Sequence, residues 1–200
     1  MSIVKAVFAL GHDIYHDDFA FGYQQGLPWG HCKEDLQNFK EETADSVLIM
    51  GANTFTSLPG KLPGRIHCVL SGSGSFLKTK KGEVADYVIH GGGLSAAIGT
   101  MQATHPDKNV CVIGGKGLLL DSINNKMVDE VVLTHIYGHH VYNAPAFKRD
   151  VSFTASELGD ALLKYEFSDF ETQYIKEHER IEKIIVDRYK NCLLYTSPSP

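Results

Sequence analysis

Three short runs of mostly apolar residues, each leading directly into a turn, constrain this chain more than any other feature of its sequence. The runs are 47–50 (VLIM), 66–70 (IHCVL) and 110–113 (VCVI), which are rich in branched residues and too short for helices. Such runs are typical of strands that are buried on both faces of a parallel sheet. The segments between them have helical patterns, so the sequence predicts an α/β fold with a mostly parallel sheet flanked by helices. The segments 165–180 and 181–190 predict a closing antiparallel hairpin, which makes the sheet mixed.

Composition excludes several functional classes. With 200 residues, 43% of them hydrophobic, the chain can form one domain with a sizeable core, which we assign to residues 1–190. A net charge of −5 argues against binding nucleic acid through the overall field. No apolar run approaches the roughly 20 residues that span a bilayer, and we interpret the N-terminal segment as a strand rather than a signal peptide. Four cysteines without a CxxC motif favour free thiols in a reducing compartment, the cytoplasm. Residues 191–200 differ in composition, and we interpret them as a disordered tail or a cloning remnant without function.

Glycine-containing turns follow the three runs, at what would be the carboxyl edge of the sheet. They are 51–54 (GANT), 71–73 (SGS) and 114–117 (GGKG). Ligands of open α/β sheets bind at this edge, and a helix that begins after a glycine turn presents backbone N–H groups to a phosphate. The first and third turns are predicted to begin helices, with Asn53 or Thr54 capping the first. Each turn alone is explained as well by a tight strand-to-helix connection, but two at one edge favour a ligand with more than one phosphate, such as a dinucleotide.

The candidate acid is Asp35, in a helix predicted over 31–44. Helical spacing places it on one face with Leu36, Phe39 and Thr43. A carboxylate pressed against apolar side chains has a raised pKa and can exchange a proton near neutral pH. The alternative is an ordinary acidic residue that complements the helix dipole in the first turn.

Three other features bear on the chemistry. Arg65, in the turn LPGR, suits a bidentate contact with a carboxylate, although it can equally be a surface arginine. The nearest group among ten histidines is His135, His139 and His140, which lacks a carboxylate or thiolate at ligand spacing, so no metal site is predicted. The long glycine-rich segment 11–30 predicts a working loop or lid.

Taken together, these residues resemble a known family. The motifs, in order, are Leu27-Pro28-Trp29, Asp35 with Leu36 and Phe39, Ile49-Met50-Gly51 with Thr54 and Ser57, Leu62-Pro63-Gly64-Arg65, Val112-Ile113-Gly114-Gly115 and Leu133-Thr134-His135-Ile136. Over residues 3–190 the pattern resembles the dihydrofolate reductase family. The stretch from ETQYIKEHE to DRYK is similar to the type carried by large tailed phages.

The resemblance implies a reaction and its partners. They are the NADPH-dependent reduction of 7,8-dihydrofolate to tetrahydrofolate, by hydride transfer to C6 and protonation at N5, in support of thymidylate and purine synthesis. The resemblance also implies binding of antifolates such as methotrexate, and phage-type relatives suggest a homodimer. Neither nucleic acid nor membrane is an expected partner.

Roles for individual residues follow from the same resemblance. Asp35 is similar to the carboxylate that holds the pterin and assists its protonation, Thr134 to the threonine bonded to that carboxylate, and Arg65 to the arginine that pairs with the substrate's glutamate carboxylate. The catalytic set is Asp35, Leu27, Trp29 and Thr134, of which Leu27 and Trp29 belong to the lid. The substrate-binding set is Val7, Asp35, Leu36, Phe39, Leu58, Leu62, Arg65, Ile113 and Thr134. The cofactor-binding set is Val7, Phe21, Gly51, Ala52, Asn53, Thr54, Ser71, Gly72, Ile113, Gly114, Gly115, Lys116, Gly117 and Leu118.

Some positions depart from the family pattern. Ala52 stands where many relatives have an arginine for the 2′-phosphate of the cofactor, and Gly117 also lacks a basic side chain. The candidates to replace that arginine are Ser71, Ser73, Lys116 and Lys78. The Phe-Pro segment that usually follows the Thr134 strand is not recognisable in 141–150 (VYNAPAFKRD).

Two alternative functions stay open at this point. A pyrimidine reductase of riboflavin biosynthesis resembles this fold and cofactor site, but it does not need Asp35, Arg65 and Trp29 in combination. A non-enzymatic nucleotide-binding or assembly protein could retain the scaffold, although the catalytic residues are the first that such a protein would be expected to lose.

Overall fold

A computed structural model describes residues 2–73 and 76–192, in which helices cover a mixed β-sheet. The strands are β1 (Val4–His12), β2 (Phe19–Gly22), β3 (Val47–Gly51), β4 (Ile66–Leu70), β5 (Tyr87–Ile89), β6 (Val110–Gly114), β7 (Glu130–Gly138), β8 (Val151–Phe153), β9 (Tyr165–Tyr174) and β10 (Ile181–Asn191). The helices are α1 (Lys33–Glu42), α2 (Ala52–Ser57), α3 (Gly93–Thr104), α4 (Lys116–Asn124) and α5 (Ala155–Leu162).

The strand order of the sheet is β5-β4-β3-β6-β1-β7-β10-β9, and β2 and β8 pair beside β1. Neighbouring strands from β5 to β7 are parallel, whereas β10 pairs antiparallel with both β7 and β9. The predicted mostly parallel sheet with a closing antiparallel hairpin is therefore confirmed. Because β1, β3, β4 and β6 are parallel, their carboxyl ends open at one edge, where the predicted site turns lie.

Side chains of β3 explain why this strand is apolar throughout. Successive residues of a strand point to opposite faces. Leu48 and Met50 accordingly join an apolar cluster that includes Phe55 of α2 and is covered by Phe39 of α1. Val47 and Ile49 join a larger cluster on the other face, beneath α3, α4 and α5. The sheet thus divides the core into two apolar clusters, one beneath α3, α4 and α5 and the other beside α1 and α2.

Some local predictions differ from the structure. The prediction that Asn53 or Thr54 caps a helix is wrong, because α2 begins at Ala52 and its N-cap, Gly51, has no side chain to bond with. The short strands β2 and β8 are not among the predicted elements, since three or four residues carry little periodic pattern.

Helix α5 is also absent from the predictions, although its start has a recognisable signal. The Thr154 hydroxyl accepts a hydrogen bond from the Glu157 backbone N–H, and the Glu157 carboxylate accepts one from the Thr154 N–H. This reciprocal pair is a capping box, whose T-x-x-E pattern is visible in the sequence.

The C-terminal strand reaches one residue past the predicted domain boundary. Asn191 is buried in β10, and its backbone N–H bonds to the Asp129 carbonyl at 2.9 Å. The rest of the predicted tail, 193–200, lies outside the described residues. All four cysteines are free, and only Cys192 among them is exposed. None of the described helices has the length and apolar character that a membrane crossing requires.

Candidate functional site

Apolar side chains predicted to hold a substrate share one face of the sheet. Val7 of β1 and Ile113 of β6 are buried in the cluster that also contains Leu48 and Met50. Phe39, Leu58 and Leu62 are half-buried and pack against that same cluster. We refer to Val7, Phe39, Leu58, Leu62 and Ile113 as the apolar wall. Five positions separated in sequence by up to about a hundred residues are thus brought together by the parallel sheet.

Asp35 lies in the first turn of α1 and is 7% exposed. Burial raises the pKa of its carboxyl group to about 6, since poorly solvated surroundings disfavour the charged form. The nearby Trp29 indole lowers this pKa in part, although its Nε1–H has no partner in hydrogen-bonding geometry. Leu36 was expected on the same buried face and is instead 42% exposed, because adjacent helical residues point in different directions. With a pKa of about 6, the Asp35 carboxyl group can exchange a proton near neutral pH.

Trp29 is held in place by Phe147. The two rings are both fully buried and make an edge-to-face contact with centroids 6.4 Å apart. A Cβ at Gly11 would lie 2.9 Å from Phe147 Cδ2 and 3.1 Å from Trp29 Cε3, so this close approach requires glycine. Leu27, two residues before Trp29, is exposed. The predicted lid (11–30) thus presents Trp29 to the interior and Leu27 to solvent.

Ion pairs anchor the first part of this lid to the segment after β7. Asp13 pairs with the Arg149 guanidinium and accepts a hydrogen bond from the Phe147 backbone N–H at 3.0 Å. Arg149 also donates to the carboxylate and the carbonyl oxygens of Asp18, at 2.9 Å each. Burial opposes ionisation of Asp13, but its hydrogen bonds, including one with His16, keep its pKa below the ordinary value. We refer to Asp13, Asp18, Phe147 and Arg149 as the lid anchor.

Thr134 lies on the same side of the sheet as the apolar wall. It is two residues beyond Val132, which belongs to the wall's cluster, and alternate residues of a strand share a face. It is buried. Among the contacts of the described residues, its hydroxyl makes no hydrogen bond to Asp35. The bond between these two groups therefore stays a prediction.

Arg65 is held by backbone carbonyls at the end of α1. Its Nε donates to the Thr43 carbonyl and hydroxyl at 3.2 and 3.0 Å, Nη1 to the Pro63 carbonyl at 3.0 Å and Nη2 to the Lys40 carbonyl at 2.9 Å. These acceptors are uncharged, and no carboxylate of the described residues forms an ion pair with Arg65. A guanidinium has five N–H donors, so some remain for a carboxylate from outside the chain. Beside it, an open cavity of about 340 Å³ is lined by Lys40, Pro63, Gly64 and Arg65 among others.

The predicted cofactor turns meet at the carboxyl edge of β3 and β6. A Cβ on Gly114 would lie 3.2 Å from Thr54 Oγ1 and 3.8 Å from Phe21 Cζ. A Cβ on Gly51 would lie 3.8 Å from the Gly115 backbone nitrogen. Any side chain at these glycines would therefore fill the space between the turns. We refer to the group as the glycine cradle, which comprises Gly51, Thr54, Gly114, Gly115, Phe21 and Leu118.

Polar groups near the cradle already have partners within the chain. The Lys116 ammonium, at the start of α4, bonds both carboxylate oxygens of Glu157 at 2.9 Å and lies 5.4 Å from the Phe153 ring centroid. The Ser71 hydroxyl donates to the Ser73 carbonyl at 2.8 Å. Two of the four residues expected to replace the family's phosphate-binding arginine are therefore engaged locally.

The remaining predicted cofactor residues lie at the surface of the same edge. Ala52 is half-buried, and the exposed ones are Asn53, Gly72 and Gly117. Lys78, another candidate for the missing arginine, is exposed, with its ammonium 5.8 Å from the Phe76 ring centroid.

Comparison with known proteins decides the family. A family model described as dihydrofolate reductase matches residues 14–172, most of the chain. The chain belongs to the dihydrofolate reductase family. This membership confirms the resemblance found in the motifs. The family's Phe-Pro segment is not recognisable in 141–150 from the sequence. The structure nevertheless places a buried phenylalanine of that segment, Phe147, against Trp29 of the predicted lid.

Individual relatives show how far the likeness extends. Dihydrofolate reductase type 9 of Escherichia coli is 56% identical over 50 residues, 25% of this chain and 28% of that protein. Type A10 of Escherichia coli is 36% identical over 107 residues, 53% of this chain and 54% of that protein. These curated relatives are thus matched over about half of their length or less. A solved dihydrofolate reductase from Enterococcus faecalis, complexed with NADP(H) and RAB-propyl, has a TM-score of 0.69 and 19% identity, covering 95% of this chain and 96% of that one, which confirms the fold.

One polar network could not be found from sequence spacing. His12 Nε2 lies 2.7 Å from His135 Nδ1, and His135 Nε2 lies 3.0 Å from Asp187 Oδ2, across β1, β7 and β10. Burial, followed by the charge of His135, lowers the pKa of His12 to about 3. His135 points away from Thr134, so this network lies on the opposite face of the sheet from Asp35. Within residues 2–73 and 76–192, no three His, Cys, Asp or Glu side chains are arranged to hold a metal ion.

Proposed function

We propose that this chain is a dihydrofolate reductase that uses NADPH to reduce 7,8-dihydrofolate to 5,6,7,8-tetrahydrofolate. One observation carries the proposal. Asp35 is a buried carboxylic acid whose pKa is raised to about 6, and helical spacing places it on the same face of α1 as Phe39 of the apolar wall. Reduction of a pterin needs a flat apolar slot and one acid, because the hydride comes from the cofactor and only a proton remains to be supplied.

The residues of the site divide this work. Asp35 would hold the 2-amino group and N3 of the pterin and assist protonation at N5. The indole N–H of Trp29 lies close to that carboxylate and has no protein partner, so it is available to orient a water there. The buried Trp29–Phe147 contact would exclude bulk water from one side of the ring. Arg65, with donors to spare, would bind the carboxylate of the glutamate tail.

The glycine cradle fits a dinucleotide. Its turns leave no side chain between the backbone and a pyrophosphate, and the N-terminus of α4 offers unpaired backbone N–H groups beside it. When bound, the reduced nicotinamide supplies the hydride. Recognition of the 2′-phosphate that distinguishes NADPH from NADH would not come from Ala52, which is apolar, and Lys116 would first have to leave its ion pair with Glu157.

Four finer proposals accompany this function. Binding of antifolates such as methotrexate is supported by the same carboxylate and apolar wall. A cytoplasmic location is supported by the free thiols. Membership of the tailed-phage type is supported by the stretch from ETQYIKEHE to DRYK. A homodimer is supported by the exposed aromatic side chains of β9, which are Phe167, Phe170 and Tyr174.

The proposal is tested by the loss of nicotinamide absorbance on mixing purified protein with dihydrofolate and either NADPH or NADH. We expect turnover with NADPH that methotrexate abolishes, and a rise in melting temperature with methotrexate, because a ligand that binds only the native state stabilises it. Faster turnover with NADH would keep the reaction and overturn the cofactor preference. A folded protein without turnover with either cofactor would refute the proposed function and favour the scaffold alternative.

A further inference from the structure

His67 of β4 is fully buried on the face of the sheet that carries the apolar wall. It pairs in register with Leu48, a member of the wall's cluster, and so points to the same side. The Phe55 ring of α2 makes an edge-to-face contact with the imidazole, with centroids 6.2 Å apart. A histidine in such surroundings must find a partner for each of its ring nitrogens or leave one unsatisfied.

One ring nitrogen binds the segment that forms part of the wall. His67 Nε2 accepts a hydrogen bond from the Leu62 backbone N–H at 3.0 Å. Because an amide can only donate, Nε2 carries no hydrogen and the neutral ring has its hydrogen on Nδ1. Nδ1 is buried without a hydrogen-bond partner, 3.6 Å from Asp86 Oδ2. The assignment of the tautomer thus follows from the Leu62 contact alone.

The charged groups that act on the imidazole are Asp86 and Lys61, and Glu83 in turn contacts Lys61. Asp86 accepts a hydrogen bond from the His67 backbone N–H at 2.8 Å and one from Lys61 Nζ at 2.6 Å. Glu83 accepts one from the Lys61 backbone N–H at 2.6 Å. Burial lowers the pKa of His67, and the opposing charge of Asp86 does not fully offset this effect. The ring is therefore neutral at neutral pH, as its bond to Leu62 requires.

We propose that His67 is a positioning residue of the substrate site, which shapes the segment from Leu62 to Arg65 through the Leu62 amide. This inference rests on the proposed function. Leu62 contributes its side chain to the apolar wall and Arg65 is the proposed anchor of the glutamate tail, three residues later. Protonation of His67 places a hydrogen on Nε2, opposite the Leu62 N–H, so the bond is lost and the segment loosens. Substrate affinity then falls in acid, independently of the proton held by Asp35.

Two variants separate this role from simple packing. The side-chain amide oxygen of His67→Gln can accept from the Leu62 N–H but cannot be protonated, whereas His67→Leu removes the acceptor. The matched control is His105→Gln, because His105 follows α3 and bonds the Tyr87 hydroxyl at 3.1 Å, away from the site. KM and kcat for dihydrofolate are measured from pH 4 to pH 8, a range that extends well below the ordinary histidine pKa of about 6.5 because burial lowers the pKa of His67.

We expect the KM of the unaltered protein and of His105→Gln to rise at least threefold as the pH falls through this range. In His67→Gln this rise should be reduced to the part that Asp35 causes. In His67→Leu, KM should be about tenfold higher at pH 8, the loss of one hydrogen bond, with kcat changed less than twofold. This difference should shrink in acid, because the unaltered protein loses the same bond there. An unchanged pH profile in His67→Gln, or an unchanged KM in His67→Leu, would overturn the proposal.

Hydrogen exchange of the Leu62 amide gives a readout that does not depend on activity. The amide should be protected in the unaltered protein and in His67→Gln, and should exchange about tenfold faster in His67→Leu. Protection without turnover would refute the reductase while leaving the Leu62 bond established. If the unaltered protein turns over dihydrofolate but the Leu62 amide is as well protected in His67→Leu as in the unaltered protein, only the role of His67 is refuted and the proposed function stands.

Discussion

Asp35 is an acid whose burial has opposite effects on stability and on the proposed catalysis. Its pKa rises from 3.8 to about 6 on folding, so ionisation within the fold costs free energy. The sign follows from linkage. The contribution of this group to stability is complete below pH 3.8 and is lost as the pH rises through about 6. One pKa unit corresponds to about 1.4 kcal/mol, so the cost at neutral pH approaches roughly 3 kcal/mol for this nearly buried group.

Asp35→Asn should therefore unfold with a larger free energy than the unaltered protein at pH 7.5, by up to about 3 kcal/mol, and the difference should disappear near pH 4. Turnover of dihydrofolate should fall at least about a hundredfold, because the general acid is gone. Urea denaturation at both pH values and the absorbance assay check these two effects. Asp107→Asn, at an exposed aspartate, is the control and should change neither quantity. Normal turnover in Asp35→Asn would contradict the role of the carboxylate.

Some site residues could be predicted from the sequence and others could not. Asp35 and Arg65 stand beside motif residues whose spacing is informative. The structure places Asp35 one helical turn from Phe39 of the apolar wall, and Arg65 beside the open cavity. His67 and Arg149 gain their roles from hydrogen bonds to Leu62 and Asp13, and the second of these spans 136 residues of sequence. A pairing of that kind depends on tertiary structure, and one sequence contains no spacing that reveals it.

At the scale of elements, the lid anchor connects the predicted lid to the segment before β8. The side chains of Asp13 and Arg149 are 4% and 9% exposed, so neither charge is well solvated without the other. Arg149→Met leaves the buried Asp13 carboxylate without its guanidinium partner and with only its hydrogen bonds, such as the one from the Phe147 N–H. This loss should lower the free energy of unfolding by about 3 kcal/mol. Lys108→Met, which breaks an ion pair with the exposed Asp45, is the control and should leave the free energy of unfolding nearly unchanged.

Fluorescence reports the same change locally. The chain has one tryptophan, and Trp29 contacts Phe147 of the anchor. Its emission should shift to longer wavelength in Arg149→Met, because a loosened lid admits water to the indole, and should be unchanged in Lys108→Met. An unshifted spectrum together with unchanged stability would contradict the anchoring role of Arg149.

Elements differ in how well sequence predicts them for physical reasons. The strands β3, β4 and β6 are buried on both faces, so their apolar runs are unmistakable. β2 and β8 are short and pair with each other at the margin of the sheet, so no run marks them. α5 is short and amphipathic, and its T-x-x-E capping box rather than its apolar periodicity marks where it begins.

At the scale of the whole molecule, the proposed homodimer depends on β9. This strand lies at the end of the sheet order, and all of its residues except Tyr165 are exposed. Phe167 and Phe170 stack with centroids 6.3 Å apart, which is an unusual use of aromatic residues on a solvent-facing edge. We expect two copies to associate through this strand.

Phe170→Asp should convert the dimer to a monomer in sedimentation velocity experiments, with turnover per chain retained, because β9 is remote from the apolar wall. Tyr142→Asp, which alters a 92% exposed aromatic residue in the loop after β7, is the matched control and should leave the dimer intact. A monomeric unaltered protein at micromolar concentration would refute the homodimer.

The central place of β1 has a consequence for biosynthesis. This strand is made well before its neighbours β6 and β7, and the Ile3 N–H bonds to Asn109 across 106 residues. At roughly 5–20 residues per second, a ribosome leaves this apolar strand unpaired for on the order of ten seconds. During that interval its exposed backbone can pair with other nascent chains. We therefore expect a chaperone that covers β1 during this interval to suppress aggregation, and a chain truncated before β6 to aggregate through β1.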